Sequence, residues 1–98
     1  MILINPTTAA VTSTAFTANA NNTGLLCDGL VGAETVKLQV YNSITKAYVD
    51  VKIKGAPFVA DASNNLINIF SDAFIYRVVK SATASAVGVS LEQNNYKV

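Results

Sequence analysis

The sequence predicts an all-β fold, a single antiparallel β-sandwich of about seven or eight short strands in a jelly-roll or immunoglobulin-like arrangement. Three observations point there. Apolar and polar residues alternate with period two over "ETVKLQVYNSITKAYVDVKI", residues 34–53. Runs rich in β-branched and aromatic residues recur at short spacing and are separated by Asn, Gly, Ser and Asp. Helix evidence is thin: "DGLVGAETVKL" at 28–38 has scattered apolar spacing, but Gly29 and Gly32 weaken it, leaving room for one helical turn near 30–34.

The elements follow in order. "VTSTAFT" at 11–17 reads as a strand with Val11, Ser13, Ala15 and Thr17 on one face and Thr12, Thr14 and Phe16 on the other. "ANANNTG" is a turn, because Asn and Gly tolerate positive φ. "LLCD" at 25–28 is a short buried strand. In the 34–53 stretch Val36, Leu38 and Val40 face inward, and after "NSIT" so do Ala47, Val49, Val51 and Ile53. This is a hairpin whose register is set by burying one face. "KGAP" turns the chain, since Pro57 cannot donate to a ladder. Short strands are expected at 58–61 and 66–70, and "DASNN" between them reads as an Asx-type turn. "FIYRVVK" at 74–80 and "VGVSLE" at 87–92 close the sandwich, with Tyr76, Val78, Val87, Val89 and Leu91 inward; either Leu66 or Ile67 joins them. The expected organisation is an N-terminal extended segment or arm over 1–10, a β-sandwich domain over 11–92 and a C-terminal tail over 93–98.

Composition narrows the function classes. The chain has 98 residues, 51% of them apolar, only 13% charged, with a net charge of +1. One small domain is expected, with a weakly charged surface suited to packing against other protein. Basic residues are spread singly apart from Lys52 and Lys54, short of the dense stripe that nucleic acid needs, so no nucleic-acid partner is expected. No stretch is long and apolar enough to span a membrane as a helix, and no signal peptide is read at the N-terminus. Cys27 is the single cysteine and sits beside two leucines, the setting of a small buried apolar residue.

Catalytic patterns are missing. Histidine is absent, and with it the commonest general base and metal ligand. Asp28, Glu34, Asp50, Asp61, Asp72 and Glu92 are scattered singly, in turns or on polar strand faces. Oxygen-bearing side chains at 61, 63 and 65 match half a calcium loop, without its glycine or its distal glutamate. "GLVGAE" lacks the lysine of a phosphate loop. The expectation is a protein that is not an enzyme and takes no cofactor or metal.

Two places read as contact surface. Tyr41 and Tyr48 flank the hairpin turn on its polar face, and Ile44 at the tip has no local reason to be apolar. Ile2, Leu3 and Ile4 form an apolar run at a terminus, where chains usually fray. They are expected either in an edge strand of the sandwich or in an arm that pairs with a neighbouring subunit or another protein.

"CDGLVGAETVKLQVYNSITKAYVDVKIKGAPF" followed by "SNNLINIFSDAFIYRVVKSATASAVGVSLE" resembles small all-β virion proteins of tailed bacteriophages. The segment from Asp28 to Gln39 is similar to the family's hairpin opening, and Tyr76 to Val89 to its closing strands; the likeness covers roughly residues 23–92. "YNSIT" departs from the Gly/Asp-rich loop that the pattern would carry there. The resemblance implies a head decoration (cement) protein that binds the outer surface of a capsid lattice. Its partners would be the major capsid protein and further copies of itself, a trimer favoured, and its location the virion, assembled in the host cytoplasm. A tail or head–tail junction protein and a small glycan-binding virion module are the alternatives.

Overall fold

A computed structural model describes residues 2–17, 22–53, 55–68 and 74–93. Those residues contain strands and turns and no helix. The strands are β1 (Ile2–Thr7), β2 (Val11–Thr12), β3 (Phe16–Thr17), β4 (Asn22–Asp28), β5 (Thr35–Asn42), β6 (Ala47–Asp50), β7 (Lys52–Ile53), β8 (Ala56–Pro57), β9 (Val59–Asp61), β10 (Leu66–Asn68), β11 (Ile75–Lys80) and β12 (Val87–Gln93).

Two main sheets form. The first has the order β1-β12-β4-β10. The second has the order β2-β11-β5-β6, with β3 continuing the β2 edge on β11 and β9 continuing the β6 edge on β5. β7 and β8 make a two-stranded excursion between the halves of that second edge. Every pairing is antiparallel. Counting each broken edge as one course leaves eight courses with nested pairing: first with last, second with seventh, third with sixth, fourth with fifth. That nesting is the jelly roll. An immunoglobulin-like sandwich pairs its first strand with its second, so the topology decides between the two expected arrangements.

The core lies between the sheets. Ile4, Leu25, Cys27, Ile67, Val87, Val89 and Leu91 come from the first sheet and Phe16, Val36, Leu38, Ala60, Tyr76 and Val78 from the second. Ile67 rather than Leu66 is the inward residue of β10; Leu66 is exposed. Residues 69–73, the end of the expected 66–70 strand and its break, lie outside the described residues, as do 94–98 of the expected tail.

Three expectations are corrected. The 11–17 segment is broken, because the five residues from Thr12 to Phe16 span only four on β11, from Val79 to Tyr76. This one-residue bulge switches the face. Ser13 and Phe16, expected on opposite faces, are both buried. The Ser13 N–H donates to the Val78 carbonyl at 2.9 Å, and the Ser13 hydroxyl accepts from the Val78 N–H at 3.0 Å, so the bulge keeps its polar groups paired. The hairpin does not stay regular to 53 either; Lys52 and Ile53 leave β5 and pair with Pro57 and Ala56. Val49 is exposed although it pairs with the inward Val40. Burial along the inner face falls from Val36 and Leu38 to half-buried Val40 to Val49, so the hairpin end projects past the covered part of the core.

Lys80 continues the inward row of Tyr76 and Val78 and is almost wholly buried. Its ammonium donates to the Ala9 carbonyl at 2.6 Å and the Ser81 carbonyl at 3.1 Å, which keeps the buried charge hydrogen-bonded. Nearby, Glu34 ties two loops together, accepting from the Val31 N–H at 3.0 Å and from the Ala84 N–H at 2.7 Å. The bond from Ala84, and then that from Val31, hold the Glu34 carboxyl below its ordinary value of 4.5. A group depressed in the folded state stabilises above the ordinary carboxylate range and loses that effect as pH falls through the folded value. Glu34→Gln, with one acceptor oxygen for two donors, is therefore expected to melt below wild type at pH 7, by a gap that narrows as pH is lowered toward 3. Thermal melts at both pH values check this; a gap of equal size at pH 3 refutes it.

Candidate interaction surface

The outer face of the second sheet is built in rows by strand register. Tyr76 pairs with Val40 and Arg77 with Gln39 on one side of β5, and Tyr41 pairs with Tyr48 and Gln39 with Asp50 on the other. One outward row therefore runs Ile75, Tyr41, Tyr48, and the next Arg77, Gln39, Asp50. Side chains two apart on each strand share this face.

The rows are joined by contacts that hold the side chains in place. The Tyr41 and Tyr48 rings meet edge to face, 5.4 Å between centroids. The Arg77 guanidinium lies over the Tyr48 ring, 4.1 Å from its centroid, within cation–π range. Arg77 Nε donates to Gln39 Oε1 at 2.7 Å, and Gln39 Nε2 donates to Asp50 Oδ1 at 2.9 Å. That last bond, and next the Lys37 ammonium 3.5 Å from Asp50 Oδ2, keep the Asp50 carboxyl below its ordinary value. Ile75 and Tyr41 stay 44% and 37% exposed beside this network. Tyrosine and arginine are the residue types that dominate binding energy when a partner desolvates them, and side chains already held by neighbours lose little freedom on contact.

Above this face the hairpin tip carries Ile44, 91% exposed. The turn is preset, since Asn42 Oδ1 accepts from the Ile44 N–H at 2.9 Å and the Thr45 N–H at 3.4 Å, while Lys46 takes a left-handed φ of 57°. Tyr41, Ile44 and Tyr48 thus lie on one hairpin, the two tyrosines on its outer face and Ile44 at its end.

The N-terminal residues lie elsewhere. β1 is an edge strand of the first sheet, paired with β12 through two register shifts. Those shifts send Ile4 into the core, leave Leu3 half-buried against it and leave Ile2 67% exposed. Of the two expected settings for this run, the edge strand is the one found, and Ile2 alone of the three is open to a partner.

Sequence reading missed Ile75 and Asp50, and also Arg77 and Gln39. The last two are 38 positions apart and meet only through the β5–β11 pairing. No group of three or more His, Cys, Asp or Glu that could hold a metal is found among the described residues, and no helix there is long and apolar enough to cross a membrane. Comparison of the chain with protein-family models, curated proteins and solved structures gives no match.

Proposed function

We propose that this chain is a non-enzymatic structural protein of a tailed bacteriophage that binds the outer surface of the capsid lattice through the tyrosine–arginine face of its second sheet. The observation that carries the reading is that face: exposed Ile75 and Tyr41 beside a Tyr48–Arg77–Gln39–Asp50 network that is already ordered. Its residues are of the kind that stabilise protein contacts by burial, and the resemblance of residues 23–92 to phage virion proteins supplies the partner.

A decoration protein is present in hundreds of copies per particle, and densitometry of purified virions of the encoding phage measures this. A count near six or twelve moves the reading to a tail or head–tail junction protein; absence from virions overturns it. Binding to undecorated heads is expected to fall at least about tenfold in Tyr41→Ala combined with Arg77→Ala, given the usual cost of truncating such contacts. A second reading, a glycan-binding module, is favoured by the same tyrosine pair set beside Arg77, Gln39 and Asp50, which offer a stacking surface next to donors and acceptors. Specific glycan affinity of the isolated chain, lost in Tyr41→Ala, would select it.

A further inference from the structure

The outer face of the first sheet holds a groove of about 150 Å³. Ile2, Pro6, Leu26, Gly88 and Ser90 line it from the outer face, with Asp28 at its side. It exists because Gly88 has no side chain; a Cβ there would lie 3.1 Å from the Pro6 ring. A largely apolar space of this volume takes a hydrocarbon the size of benzene, so it has room for one branched aliphatic side chain.

The chain itself presents such a side chain. Ile44 stands 91% exposed on a turn already fixed by Asn42, and Lys46 follows two residues later. Asp28 is exposed beside the groove, so the charges match: an aliphatic knob with a lysine near it, and an apolar socket with a carboxylate near it. We propose that Ile44 of one copy seats in the groove on the first sheet of a neighbouring copy, with Lys46 facing Asp28. Knob and socket are different surfaces, so the contact is heterologous. An open assembly keeps one free knob at one end and one free socket at the other until a ring closes, or else a filament grows. The contact is between copies of this chain and does not depend on the capsid reading.

The test is sedimentation equilibrium of the full chain over a wide concentration range. Wild type is expected to gain mass with concentration. Ile44→Asp, which removes the knob, and Leu26→Lys, which blocks the socket, are each expected to associate at least about tenfold more weakly. Mixed in equal amounts they are expected to form a dimer and nothing larger, because one intact knob then meets one intact socket. Asp28→Lys is expected to weaken assembly and Lys46→Asp in the same chain to restore it; this pair replaces Leu26→Lys if that variant fails to fold by circular dichroism. A wild-type chain that stays monomeric overturns the proposal, and so does assembly that survives Ile44→Asp. Assembly sensitive to Leu26→Lys alone assigns the groove to another occupant and overturns it too. Virion copy number is untouched by these outcomes, so the two readings fail separately.

Discussion

Gly29→Ala is expected to destabilise the fold by about 2–4 kcal/mol, combining the cost of a disallowed backbone with a collision. Gly29 ends β4 at φ +99°, a conformation that side-chain-bearing residues rarely adopt. A Cβ there would lie 2.3 Å from the Ala86 carbonyl oxygen, which is backbone and cannot swing aside. Ala86 leads directly into Val87 of β12, and Asp28 pairs with Gly88 across the same sheet. Relief of the clash must therefore pull apart the start of the β4–β12 ladder, the central pairing of the first sheet. Small domains are stable by roughly 5–15 kcal/mol, so this loss should lower the melting temperature by about 10–20 °C. Gly32→Ala is the control. Its φ is +59°, with nothing within 4 Å of the added Cβ, so only the left-handed backbone cost of about 1 kcal/mol applies. Denaturant titration of both variants separates strain from collision; equal losses would show that the Ala86 contact relaxes without cost.

The strands most legible in the sequence are those whose two faces differ most. β5 and β11 alternate because one face meets the core and the other is more open to water, and Val36, Leu38, Val78, Val87 and Val89 are buried as the period-two pattern requires. The Asx turn at Asp61 was legible for a local reason. Its carboxylate accepts from the Ser63 and Asn64 N–H groups at 2.9 and 2.8 Å, bonds within the turn itself. What escaped the sequence is non-local. The bulge at residues 13–15 depends on how a short edge meets β11, and nothing in "VTSTAFT" marks an extra residue. Lys80 follows the alternation inward, yet a lysine reads as surface until the Ala9 and Ser81 carbonyls are placed around it. The nested order of the sheets rests on pairings such as β1 with β12, which no local pattern encodes. The candidate site divides in the same way. Tyr41 and Tyr48 are found by counting outward from one turn, whereas Arg77, which fixes Tyr48, comes from a strand far along the chain. The groove under Ile2 needs β1, β4 and β12 together before it exists.

Stability should fall steeply in alkali, at about 1.4 kcal/mol per pH unit above pH 9, and Cys27 is the main reason. Cys27 lies on the inner face of β4 with no exposed surface. Burial penalises the thiolate and pushes its pKa from 9.0 up to about 12. The unfolded chain sheds this proton near the ordinary value, while the folded chain holds it. A pKa raised in the folded state gives a stabilisation that is complete below pH 9 and is lost as pH rises from there toward 12. Tyr76, also raised by burial, acts in the same direction once pH passes its ordinary value of 10.0. Going from pH 9 to pH 11 should therefore cost the wild-type chain about 2–3 kcal/mol from Cys27 alone. Cys27→Ala should be less stable than wild type at pH 7, having lost packed volume in the core, but its stability should fall less steeply with pH. The two curves should approach each other or cross by about pH 11. The same burial makes a second expectation. A thiol that is neither exposed nor ionised should resist thiol-specific reagents at pH 8 in the folded chain and react at once in denaturant. Urea titrations at pH 7, 9, 10 and 11 provide the first measurement and reagent kinetics the second. Identical alkaline slopes for Cys27→Ala and wild type would remove Cys27 as the cause, and fast labelling of the folded chain would contradict its place between the sheets.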